Sequence, residues 1–84
     1  MLFGLVDLDT ASAQVLQNLR HQKGLTQEEL SEKAGLDVTS ISRFERGVRK
    51  PSIESLFLIA RALGVSPKTI IAEIEKLKPK LSND

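Results

Sequence analysis

Cysteine is absent from the 84 residues, which excludes disulfides, thiolate metal sites and a cysteine nucleophile. The single histidine, His21, cannot supply the several imidazoles of most zinc enzymes or of a zinc finger. Tryptophan and tyrosine are missing and phenylalanine is scarce, leaving too few ring faces to stack the bases of a single strand. No apolar run approaches the roughly 20 residues of a membrane span, so a membrane is not an expected partner. The opening Met1-Leu2-Phe3-Gly4-Leu5-Val6 is apolar, but no basic stretch precedes it and no cleavage site follows. That disfavours a signal peptide and makes a cytoplasmic location the expectation. The glycines form neither a dinucleotide fingerprint nor a P-loop. No metal and no cofactor is expected.

What remains has the balance of an ordinary globular domain, 40% hydrophobic and 27% charged. The length suits one domain over 1–84, with residues 1–8 as an apolar extension and 78–84 as a loose tail. Net charge is only +1, so any affinity for a polyanion must come from where the charges sit. Gly24, Gly35, Gly47 and Gly64 each follow a helical stretch, at the place where a left-handed residue ends a helix. Thr26 with Glu29 forms a capping box, and Leu25 and Leu30 a hydrophobic staple around it. Asp37 repeats the device between Leu36 and Ile41. So does Ser66, with Pro67 at the first helical position and Val65 facing Ile70. Ser52 caps a further segment, and one more helix begins near Asp9 or Thr10. The result is an all-α fold of five helices, about 10–23, 27–34, 38–46, 53–63 and 67–77. Strand-like alternation is confined at most to residues 1–8.

Two of these helices nearly abut. The turn Gly35-Leu36-Asp37 joins them into a helix-turn-helix over about 27–46. On the second helix, Ile41, Phe44 and Val48 share one side with Glu45, whereas Val38, Thr39, Ser42, Arg43 and Arg46 share the other. The first side anchors the helix. The second suits a major groove: Arg pairs bidentately with guanine, Ser and Thr reach base edges, and Val38 meets a thymine methyl. From Arg43 to Lys50 four bases (Arg43, Arg46, Arg49, Lys50) stand against one acid (Glu45), a local +3 that attracts phosphate.

Gly24-Leu25-Thr26-Gln27-Glu28-Glu29-Leu30, Ala34-Gly35-Leu36, Ile41-Ser42-Arg43-Phe44-Glu45-Arg46-Gly47, Arg49-Lys50-Pro51-Ser52 and Ala62-Leu63-Gly64-Val65-Ser66-Pro67 together resemble the Cro/C1-type (XRE family) helix-turn-helix domain. The likeness runs over about 16–71. It implies a five-helix, lambda-repressor-like fold, as in phage repressors, restriction–modification controller proteins and antitoxins. It implies base contacts from Val38, Thr39 and Arg43, with Ser42 close by. Gln27 is implied to reach phosphate and to brace the recognition helix; Arg46, Arg49 and Lys50 occupy the backbone-contacting loop. Arg20 and Glu45 stand where the family has an ion pair between helix 1 and the end of helix 3. Family members often carry Asn at the position of Arg46, and a polar residue at that of Val38, which limits Val38 to a methyl contact.

Several of these residues also have plain structural readings. Arg20 and Glu45 orient helices rather than touch ligand, Thr26 is a cap before it is a phosphate contact, and His21 lies on the surface. Glu28, Glu29 and Glu32 imitate an acid/base cluster, but a solvated first turn is where carboxylates favourably meet the helix dipole. The chain therefore does not read as an enzyme. Phe57, Leu58, Ile71, Ile74 and Leu77 exceed what a five-helix core needs. They form a homodimer face, or else the last helix packs back on the core. A twofold dimer would set its reading heads about 34 Å apart on double-stranded DNA. The expectation is a homodimeric regulator, with repression favoured and activation open. With no sensor module in view, it would be governed by its own concentration or by a protein partner, a toxin or RNA polymerase. The rival reading is an antitoxin that sequesters a toxin and regulates its own operon.

Overall fold

Side-chain caps begin every helix. The computed structural model describes residues 6–81, in which α1 spans Leu8–Gln22, α2 Gln27–Ala34, α3 Val38–Glu45, α4 Ile53–Leu63 and α5 Pro67–Lys76. Asp7, Thr26, Asp37, Ser52 and Ser66 stand before them in extended backbone, each accepting a hydrogen bond from an amide of the first turn. Thr26 and Glu29 make the full reciprocal box: Thr26 Oγ1 accepts from the Glu29 amide at 3.0 Å, and Glu29 Oε1 from the Thr26 amide at 2.8 Å. Such a cap is worth about 1 kcal/mol. Gly35, at φ +70°, takes the left-handed turn between α2 and α3 that an L side chain resists.

The helix boundaries depart from expectation at α1 and at two C-termini. α1 starts two residues early, because Asp7 and not Asp9 or Thr10 is the cap: its Oδ1 accepts from the Thr10 amide at 2.8 Å. α3 stops at Glu45 and α5 at Lys76, one residue short of the expected ends.

The core is evenly subscribed. Its most deeply buried large side chains are Leu16, Leu30, Ile41, Ile59 and Ile70, one from each helix. Full burial of such a side chain is worth about 1.5–3 kcal/mol, so no helix can detach without a comparable loss. α1 lies against α3 and α5, α2 against α3 and α4, and α4 against α5. Thus α3 is held from behind chiefly by α1 and α2, while Thr39 and Arg43 on its other side are exposed.

The chain beyond α5 does more than trail. Lys78 takes a left-handed turn (φ +48°), Pro79 prevents further helix, and the Lys80 amide donates to the Val6 carbonyl at 2.9 Å. Asp7 and Lys80 form one isolated parallel bridge. The expected loose tail is therefore tied to the start of α1 as far as residue 81. Residues 1–5 of the apolar extension, and residues 82–84 of the tail, lie outside the described residues. Among the described residues no single helix is long and apolar enough to cross a membrane.

Candidate nucleic-acid interface

Helix α3 sorts its residues by obligation. Ile41 and Phe44 are buried in the core together with Glu45. Thr39 and Arg43 are exposed, and no hydrogen bond or ion pair engages either side chain among the described residues. Val38 and Ser42 are half-buried, and Ser42 Oγ accepts from Arg46 Nε at 3.2 Å. Of the four expected base-reading residues, Thr39 and Arg43 are thus the two whose side chains are uncommitted. Val48 does not join the anchoring side. Gly47 turns left-handed at φ +74° after the helix ends, and Val48 is 61% exposed in the loop beyond.

Behind α3 lies a charged tie. Glu45 is only 3% exposed, and its carboxylate accepts from Arg20 Nε at 2.7 Å, Arg20 Nη2 at 2.9 Å and Gln27 Nε2 at 3.1 Å. Arg20 Nη1 also donates to the Leu25 carbonyl at 2.8 Å, and His21 Nε2 lies 3.2 Å from Nη2 on the exposed side. The hydrogen bond to Glu45 raises the guanidinium pKa above its ordinary value, outweighing burial. A bidentate arginine–carboxylate pair fixes orientation as well as charge. One carboxylate therefore joins α1, the first turn of α2 and the last turn of α3. Gln17, which the sequence did not single out, reinforces it by donating from Nε2 to the Glu45 carbonyl at 2.5 Å.

This tie alters the electrostatics of the loop. Glu45 is the one acid between Arg43 and Lys50, and it faces inward, neutralised by Arg20. The outward charges of that stretch are all basic: Arg43, Arg46, Arg49 and Lys50 are exposed. Gln27 is half-buried and braces Glu45. Thr26 is exposed, though its hydroxyl already accepts the capping bond. Among the described residues no group of histidine, aspartate or glutamate side chains is arranged to hold a metal ion.

The expected dimer face is narrower than the sequence implied. Phe57 and Ile71 are 58% and 50% exposed, but Ile74 is 9% exposed and belongs to the core. Leu58 and Leu77 are half-buried against that core. The last helix packs back on α1, which removes Ile74 from any partner surface. In exchange, Ile53 at the first position of α4 is 73% exposed. An apolar groove of about 660 Å³ runs beside it, lined in part by Leu16, Ile53, Leu56, Ile71, Ile74 and Leu81.

The helix-turn-helix family model matches residues 16–70. The chain belongs to the XRE-type helix-turn-helix family. A helix-turn-helix transcriptional regulator of Sinorhizobium fredii is 40% identical over 58 residues, 69% of this chain and 75% of the relative. The control protein C.BamHI of Bacillus amyloliquefaciens is 37% identical over 59 residues, 69% of this chain and 73% of its own length. The immunity repressor of Bacillus phage phi105 is 34% identical over 65 residues, and there the chain spans only 45% of the relative. Among solved structures, the restriction–modification controller protein C.Esp1396I superposes with a TM-score of 0.76 at 38% identity, covering 83% of this chain and 92% of the controller. The clp gene regulator ClgR of Corynebacterium glutamicum gives 0.77 at 32% identity over 82% of this chain and 73% of its own. This helix-turn-helix protein is a DNA-binding transcriptional regulator related to phage repressors and restriction–modification controllers, not an enzyme.

Proposed function

We propose that this helix-turn-helix protein is a cytoplasmic, homodimeric repressor that reads a pseudo-palindromic operator in double-stranded DNA by laying α3 in the major groove. The observation that carries the reading is the division of α3. Its anchoring side is locked by core packing and the Arg20–Glu45 tie, while Thr39 and Arg43 are exposed and uncommitted. Arg43 then reads guanine and Thr39 a neighbouring base edge, with Ser42 and the Val38 methyls at the margin. Arg46, Arg49 and Lys50 meet phosphates, which fix register without reading sequence. Gln27 and Thr26, at the N-terminus of α2, offer further phosphate contacts beside a helix end that favours anions. Ile53, Phe57 and Ile71 supply an apolar face for the twofold partner, and a dimer seated over a promoter represses by excluding RNA polymerase.

The test is selection of bound duplexes from a random pool at defined salt, repeated with Arg43→Ala. A recovered site should show two related halves about one helical turn apart. The substitution should cost roughly 1–3 kcal/mol on that site and relax preference at one base pair of each half. A loss spread evenly over all sequences would exclude Arg43 from base reading.

A further inference from the structure

Among the four exposed cations of the α3 end and its loop, Lys50 stands apart. Within the described residues it alone is ion-paired, its ammonium held by the Asp9 carboxylate of the first turn of α1. The partners are 41 residues apart in sequence, and the backbone brings them together. Gly47 lays the loop on α1, with the place of its missing Cβ 3.6 Å from the Asp9 carbonyl oxygen and 3.7 Å from the Thr10 Cα. A second carboxylate is near: Asp7 is held below its ordinary pKa of 3.8 chiefly by the Thr10 amide, with the Lys50 charge assisting. An acid in the first turn of a helix suits the helix dipole anyway. That accounts for an aspartate at position 9, but not for its seizing a cation from the basic loop.

We propose that Asp9 is an intramolecular competitor for the Lys50 ammonium, occupying it in the free protein and so lowering affinity for every duplex. The inference rests on the DNA-binding reading above and adds to it a residue that no groove contact requires. A phosphate that takes Lys50 must break its pair with Asp9, so part of what the phosphate contact contributes is offset by the pair that is lost. Lys50 thus adds less to affinity while Asp9 is charged than its exposed ammonium alone would give.

The experiment compares duplex affinity across a range of salt concentrations for the unaltered chain, Asp9→Asn, Lys50→Ala and the double variant, on the selected site and on unrelated duplex. Asp9→Asn should tighten both at low salt by up to about fivefold, the range of an exposed ion pair. The gain should shrink as rising salt screens the pair. Lys50→Ala should weaken binding less on its own than in the Asp9→Asn background, where no carboxylate competes for the ammonium. Asp9→Ser, which also removes the charge, should repeat the gain, with helix content by circular dichroism confirming both folds. Weakened or unchanged binding by Asp9→Asn would mean that Asp9 aims Lys50 or is idle, and overturns the proposal. A gain that survives Lys50→Ala does so too, since Asp9 would then act by its own charge. If the unaltered chain selects no duplex at all, the DNA-binding reading itself fails; a failure confined to the Asp9 variants leaves it standing.

Discussion

Removing the Glu45 carboxylate should be the most damaging single change on the reading half of the molecule. Glu45→Ala strips three hydrogen bonds from two donors and leaves the Arg20 guanidinium, whose side chain is 11% exposed, without its counter-charge. Among the described residues the Leu25 carbonyl, the exposed His21 and the more distant charge of Glu28 remain to it. Breaking a buried pair from one side costs about 3–5 kcal/mol. A chain of this length has a total stability of roughly 4–13 kcal/mol, so the loss is about a quarter of it or more. At a urea dependence of about 1–1.5 kcal/mol per molar, the unfolding midpoint should fall by roughly 2–5 M. The cause is stranded charge and not lost volume, so Arg20→Met with Glu45→Leu should recover most of the loss, as apolar replacements of buried pairs commonly do. Gln27 has no carboxylate to brace in that double variant, which should therefore fold yet bind its duplex less tightly. Urea denaturation followed by circular dichroism measures the first effect and a binding titration the second. A midpoint shift below about 0.5 M for Glu45→Ala, or a double variant no more stable than the single, would refute burial of the pair in solution.

Three further outcomes are expected. Arg49→Ala should weaken binding to all duplexes alike and flatten the salt slope by about 0.9, since Arg49 has no carboxylate partner among the described residues; an unchanged slope removes it from the phosphate contacts. Phe57→Glu combined with Ile71→Glu should convert a dimer to a monomer in a solution mass measurement. An unaltered chain that is already monomeric would return that face to another partner, as the antitoxin reading requires. Asp7→Asn keeps a good cap but loses the carboxylate that the Thr10 amide holds below its ordinary 3.8. A depressed folded pKa contributes stability above the unfolded value and loses it as pH falls through the folded one. The stability difference between the two proteins should hold steady above about pH 4 and shrink below it; a difference flat down to acid unfolding would deny Asp7 that role.

Much of this was legible because it is local. Thr26 with Glu29, Pro67 after Ser66, and a glycine after each of the first four helices announce helix ends within a few residues, and α2 and α4 have the boundaries they imply. The apolar spacing of Ile41 and Phe44 marked the buried side of α3, and family likeness supplied the Arg20–Glu45 tie. What stayed hidden is set by contacts distant in sequence. Asp7, Asp9 and Thr10 are all competent caps, and the choice falls to Asp7 in a molecule where Asp9 engages Lys50. Val48 obeys helical spacing from Ile41 and Phe44, but Gly47 has already ended the helix. Ile74 reads as surplus until α5 is seen to pack on α1. Gln17 and the segment from Lys78 to Leu81 carry no periodic or motif signal at all; their partners are a carbonyl on α3 and one beside the start of α1.

The inward-facing carboxylate of Glu45 has a consequence for how such a chain diverges. Orientation of α3 is settled by buried and half-buried residues, whereas the side chains of Thr39 and Arg43 are exposed and make no hydrogen bond or ion pair among the described residues. If those two read bases as proposed, exchanging them would alter the preferred duplex with little effect on folding, and copies of one gene could drift to new targets without first acquiring a new scaffold.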